Sequence, residues 1–179
     1  MAIIIDTNCF SRVFNSQDAK HADFEPVLKW IVEGNGFIVY GGTKYTEELK
    51  QCTRYLKLFN LLKTLGKAIE FKEKCKEIDK TMHKLEIEFG DDDFDDPHLP
   101  AIAQITKCKL ICSNDTRSIK YVRNPKMYPK KFSTPVYYTG KKDKKLLIDR
   151  NIDQRLHKYK KKLSKAFKER VMLLVNPYK

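Results

Sequence analysis

The chain has 179 residues, 41% hydrophobic and 33% charged, with a formal net charge of +13. That length fits one domain with an appendage and a real core, and the apolar content excludes general disorder. No run of ~18 apolar residues occurs and Asp6 cuts the amino-terminal apolar run short, so neither a membrane span nor a signal peptide is expected, and the expected compartment is the cytoplasm.

Ile3, Ile4 and Ile5 form a short, wholly apolar, β-branched run that breaks at Asp6-Thr7-Asn8. Such a run predicts a strand buried on both faces of a parallel sheet. An acid at its carboxyl end lies where open α/β sheets place their ligand crevice, although alone it also suits a turn or a helix cap. Asp18 to Glu33 reads as a helix with Phe24, Val27, Leu28, Ile31 and Val32 on its apolar stripe. Pro26 pulls its expected start toward Phe24, because proline is favoured in a first turn. Phe37 to Tyr40 is a second strand, closed by Gly41-Gly42, and Thr43 to Leu65 reads as one long helix. Ala68 to Phe71 is a short strand, and Glu73 to Phe89 a helix.

An acidic cluster, Asp91-Asp92-Asp93-Phe94-Asp95-Asp96, then precedes Pro97 and a helix of small apolar residues that must pack closely. Leu110-Ile111-Cys112 is a buried strand ending in Ser113-Asn114-Asp115. A basic loop follows, and Pro135 to Thr139 is the last strand. Strands alternating with helices predict a three-layer α/β/α fold on a parallel sheet over residues 1–140. Residues 141–179 form a basic carboxyl-terminal extension. Within it Ile148, Ile152, Leu156, Tyr159, Leu163, Phe167, Val171 and Leu174 recur at helical spacing, predicting one long amphipathic helix with lysines around it. Its lysine face suits a solvated surface, a phosphate grip or a docking face for another helix; the spacing is the same for each.

The charge is unevenly placed. Residues 120–179 hold 19 Lys+Arg against 4 Asp+Glu, a net of +15, which leaves 17 against 19, or −2, for residues 1–119. A polyanionic partner is therefore expected, with nucleic acid ahead of an anionic membrane. Cys9, Cys52, Cys75, Cys108 and Cys112 are odd in number and include no CxxC pair, and His21, His83, His98 and His157 are scattered, so neither a disulfide framework nor a zinc site is expected. Gly41-Gly42 lacks the following GK[ST] of a P-loop.

Asp6, Glu47 or Glu48, Asp96 and Asp115 each fall at or near the edge of an inferred sheet. Carboxylates gathered together repel and hold on to protons, so such a cluster implies a cation, and oxygen ligands suit Mg²⁺ or Mn²⁺. These pieces resemble PIN-domain ribonucleases, including VapC-type toxins, in content and order. Ile3-Ile4-Ile5-Asp6-Thr7-Asn8 is similar to the family's opening motif. Thr46-Glu47-Glu48-Leu49 is similar to its second and favours Glu48. Asp96-Pro97-His98-Leu99-Pro100-Ala101-Ile102-Ala103 is similar to its Asp-led helix, from which Pro100 departs by threatening to distort the first turns. Leu110-Ile111-Cys112-Ser113-Asn114-Asp115 is similar to its last strand element.

The resemblance implies a metal-dependent endoribonuclease that needs no Ser, Cys or His nucleophile. Asp6, Asp96 and Asp115 would hold Mg²⁺ or Mn²⁺, and Glu48 would be a further ligand or a water-orienting acid. Asn8, Ser113 and Asp93 would support them, with Asp93 or Asp95 as alternative registers for Asp96. Arg117, Lys120, Arg123, Lys130, Lys131, Lys161 and Lys165 are the expected phosphate contacts, and Tyr121, Tyr128 and Phe132 lie among them for base stacking or core packing. RNA or single-stranded DNA is the expected substrate. An antitoxin, a phage-defence protein or a second copy of the chain is a further expected partner, and a degraded nucleic-acid-binding relative is the alternative reading.

Overall fold

A computed structural model describes residues 2–90, 93–130, 132–149 and 153–176. The apolar runs form the strands β1 (Ala2–Ile5), β2 (Phe37–Tyr40), β3 (Ala68–Glu70), β4 (Leu110–Cys112) and β5 (Val136–Tyr138). They make a five-stranded, all-parallel sheet in the order β3-β2-β1-β4-β5, flanked by helices in a three-layer α/β/α arrangement. Every residue of β1, β2 and β4 is buried, which is why these strands read as continuous apolar runs rather than alternating ones.

The order places the functional edge. From β1 the sheet grows through β2 to β3, then the chain crosses back to β4 on the other side of β1. The carboxyl ends of β1 and β4 therefore flank a switch point, where open α/β sheets leave a crevice. Ile5 pairs in register with Cys112, so the residues that follow, Asp6 and Ser113, emerge side by side.

Helices α1 (Phe10–Phe14) and α2 (His21–Val32) lead from β1 to β2. α2 begins at His21 rather than near Phe24, with Pro26 inside it, and its stripe of Phe24, Val27, Leu28, Ile31 and Val32 is buried as expected. The long helix expected over 43–65 is two, α3 (Thr43–Gln51) and α4 (Thr53–Thr64), broken where Cys52 leaves helical geometry at φ −75°, ψ 51°. The break lets each segment bury its own stripe: Tyr45 and Leu49 in α3, and Leu58, Phe59 and Leu62 in α4.

α5 (Cys75–Phe89) packs on α6 (His98–Thr106), whose residues from His98 to Gln104 are all buried. Pro100 lies in the first turn of α6, where its missing N–H would have had no intrahelical partner, so the helix forms without distortion there. A short helix, α7 (Ile119–Val122), follows β4.

The carboxyl-terminal helix is present but shorter than expected. It is α8 (Lys165–Val175), preceded by a 3-10 turn at Gln154–Tyr159 and extended residues 160–164. Local capping explains the interruption: Asp153 accepts from the Arg155 N–H, and the Ser164 hydroxyl accepts from the Phe167 N–H. Of the apolar series, Leu156, Leu163 and Val171 are buried, Tyr159 packs against Phe37 and Phe71, and Phe167 is exposed. Ile152 lies outside the described residues. No helix among the described residues is long and apolar enough to cross a membrane.

Candidate metal centre

Asp6 is only 2% exposed, and both carboxylate oxygens have partners. Oδ2 accepts from the Ser113 hydroxyl at 2.7 Å, and Oδ1 accepts from the Asn8 N–H at 2.9 Å, capping the 3-10 turn Thr7–Cys9. The cap and the buried acid are thus the same side chain. Asn8 is itself exposed and reaches Asp6 through its backbone. Ser113 also accepts the Asp115 N–H at 3.0 Å, so one hydroxyl joins the ends of β1 and β4.

Glu48 arrives from α3. Gly42, at φ +82°, turns the chain into that helix, and Asp79 caps it through the Thr43 N–H at 2.8 Å. Buried Tyr45 donates to the Ile5 carbonyl at 2.6 Å, pinning α3 to the end of β1. Glu48 is three residues on, hence on the same side of the helix, whereas Glu47 is exposed. Glu48 Oε2 accepts from Thr7 Oγ1 at 3.0 Å and lies 3.4 Å from His98 Nε2, and Lys44 is 3.6 Å from Oε1. Asp96 comes from the other side, at the approach to α6, with Oδ1 3.9 Å from His98 Nδ1.

Among the described residues two groups of donor atoms result, each with its members within 4.8 Å of one another: Glu48, Asp96 and His98, and Asp95, Asp96 and Asp115. Asp96 belongs to both, and Asp95 to the second alone. Asp95 is exposed and contacts Arg117 at 3.5 Å, and Asp93 is held by Lys120 at 2.9 Å. Asp91 and Asp92 lie outside the described residues. Asp6 belongs to neither group, although its charge is felt by Asp96.

Burial pushes the Asp96 carboxyl up from 3.8 to about 6, and the Asp6 charge adds to the rise, with His98 opposing it. Asp6 is also raised, chiefly by burial, against the hydrogen bonds of Ser113 and Asn8. Burial pushes Glu48 the same way, but His98, Thr7 and Lys44 together outweigh it and leave Glu48 below its ordinary value. Among the described residues, Asp115 Oδ2 and His98 Nδ1 are buried without a hydrogen-bond partner. A carboxylate and imidazole donor set with two orphaned buried atoms fits a divalent cation, because such atoms are costly unless something satisfies them.

Sequence reasoning missed His98 and Thr7. Thr7 sits inside the opening motif, and His98 two residues past Asp96, but their partner Glu48 is distant in the chain.

The expected phosphate contacts are dispersed. Arg117 sits at the rim, its Nε donating to Asp115 Oδ1 at 3.1 Å. Lys120 lies over the Tyr121 ring, which stacks on Phe94, while Arg123 and Lys130 are exposed. Lys131 lies outside the described residues. Tyr128 is buried and Phe132 packs against it, so this pair belongs to the core. Lys161 passes beside Gly66, just before β3, at the sheet edge opposite the acids, and Lys165 opens α8 as an exposed residue. The centre stands on its geometry: no family model, no curated protein and no solved structure matches the chain.

Proposed function

We propose that this protein is a PIN-type, metal-dependent endoribonuclease that hydrolyses RNA phosphodiesters. The observation that carries the reading is the meeting of Asp96 with Glu48 and His98 on one side, and with Asp95 and Asp115 on the other. That meeting occurs at the carboxyl edge of the sheet, beside the switch point between β1 and β4. A bound Mg²⁺ or Mn²⁺ would offset phosphate charge there and make water acidic enough to attack near neutral pH.

The chain's own residues do the positioning. Asp96 and Asp115 would hold the cation, while Asp6, tied to Ser113, sets their surroundings and adds charge. Glu48 is kept ionised by His98, Thr7 and Lys44, so its carboxylate would serve as a further ligand or orient the attacking water. Arg117 presents planar N–H donors at the rim for a phosphate oxygen. The exposed cations Lys120, Arg123 and Lys130 follow on the same stretch of chain and offset the repulsion between an acidic pocket and a polyanion. Pro100, the departure that would favour a degraded binding protein, sits where a first turn accepts it.

Purified protein incubated with single-stranded and structured RNA, and in parallel with single-stranded DNA, tests the reading. Cleavage of RNA with Mg²⁺ or Mn²⁺, abolished by EDTA and by Asp96→Asn or Asp115→Asn, is expected. Cleavage that survives EDTA, or that these substitutions leave unchanged, refutes it, and preferential cleavage of DNA reassigns the substrate.

A further inference from the structure

We infer that His98 is itself a metal ligand, and that it makes the position between Glu48 and Asp96 prefer a first-row transition ion to Mg²⁺. The inference rests on the metal-centre reading above and names what sets that centre's choice of ion.

His98 is 2% exposed, yet Nδ1 has no hydrogen-bond partner among the described residues. Imidazole in the interior normally uses both nitrogens, one donating and one accepting, so an idle buried nitrogen needs an occupant. The neighbouring Asp96 does not supply one for Nδ1 by hydrogen bonding. Nε2 makes a long contact of 3.4 Å to Glu48 Oε2, whereas Nδ1 is 3.9 Å from Asp96 Oδ1, beyond the range of an N–H···O bond. The three donor atoms nonetheless lie within 4.8 Å of one another. Two ligands at ~2.1 Å on opposite sides of one ion are ~4 Å apart, so small side-chain adjustments bring all three onto a shared cation.

The ring is held in place. His98 is the first residue of α6 and two residues past Asp96, so one helix start orients both groups. Its face packs edge-on against the Tyr45 ring, with centroids 6.2 Å apart, and Tyr45 is itself anchored to the Ile5 carbonyl. A ligand fixed in this way loses little freedom on binding. Magnesium takes oxygen donors and keeps its waters, whereas imidazole suits first-row transition ions. The neighbouring group, Asp95, Asp96 and Asp115, offers oxygen alone, so the preference belongs to the His98 side.

Mn²⁺ is the test ion, because it is the weakest binder of the transition series and is visible by electron paramagnetic resonance. The full chain is loaded with Mn²⁺, and its electron spin-echo modulation is recorded for directly coordinated nitrogen. Affinities for Mn²⁺ and Mg²⁺ are measured by calorimetry in wild type and His98→Gln. Nitrogen modulation in wild type that disappears in His98→Gln is expected, with Mn²⁺ affinity falling about tenfold or more and Mg²⁺ affinity changing much less. Bound Mn²⁺ without nitrogen modulation in wild type overturns the inference while leaving the metal centre standing, and this needs no variant to fold. Modulation that persists in His98→Gln, or equal losses for both ions, also overturns it. Failure of wild type to bind Mn²⁺ at all overturns both this inference and the metal-centre reading.

Discussion

Removing the charge at residue 96 should stabilise the metal-free protein. Burial and the Asp6 charge lift the Asp96 carboxyl from 3.8 to about 6. At ~1.4 kcal/mol per pKa unit, that displacement amounts to a destabilisation of ~3 kcal/mol once the group ionises. The sign follows from proton counting. The folded-state value is the higher one, so between about pH 3.8 and 6 the folded protein binds more protons than the unfolded chain, and stability falls as pH rises through that window. Above it the whole cost is present. Asp96→Asn carries no charge at any pH, and should exceed wild type by ~2–3 kcal/mol in EDTA near neutral pH. For a domain of this size the gain corresponds to a rise in Tm of roughly 4–12 °C. Thermal and urea unfolding in EDTA from about pH 4 to 8 measure it, and the gap should close toward the acid end. Adding a divalent cation at about 100 times its Kd should return ~2.7 kcal/mol to wild type and little to the variant. An Asp96→Asn protein no more stable than wild type near neutral pH, or a gap that persists in acid, refutes the electrostatic account of the site.

Three further outcomes are expected. Gly42→Ala puts a methyl 2.7 Å from Ile78 Cγ2 at φ +82°, and should cost ~2–4 kcal/mol in urea unfolding through strain and overpacking. Tyr45→Phe leaves the Ile5 carbonyl without its buried donor and should cost ~1–2 kcal/mol by the same measurement. Lys67 is fully buried, its ammonium donating at 2.9 Å to the Gly34 and Gly36 carbonyls, and burial lowers its pKa from 10.5 to about 8. The unfolded chain therefore holds the extra proton between about pH 8 and 10.5, and stability should rise with pH across that window by up to ~3 kcal/mol. Lys67→Met, followed by urea unfolding at several alkaline pH values, should lack that rise.

What the sequence discloses about this molecule depends on how local the signal is. The β-branched run before Asp6 and the strand before Ser113 announce themselves within a few residues, so the sheet and the two acids at its edge are legible. For Asp6 the structure shows the capping reading, because a cap needs only a carboxylate oxygen near an N–H two residues on, while the donor groups form without it. The contribution of His98 was hidden, since its value lies in facing Glu48, 50 positions earlier, and composition holds no record of that meeting. Periodicity also overreached in the carboxyl-terminal stretch. Its 3- and 4-residue spacings suit a helix, but Asp153 and Ser164 divert the backbone to their side chains, and the apolar residues find separate neighbours. The break at Cys52 left no trace of the usual kind, neither glycine nor proline.

The Ser113 hydroxyl has a consequence of its own. It spends its single proton on Asp6 and a lone pair on the Asp115 N–H, so two strand termini share one atom as a pivot. The Asp6 carboxylate and the Asp115 backbone are thus tied through one hydroxyl. Threonine could preserve that coupling and alanine could not. A small oxygen atom therefore adds a side-chain tie between two strand ends that already pair through their backbones.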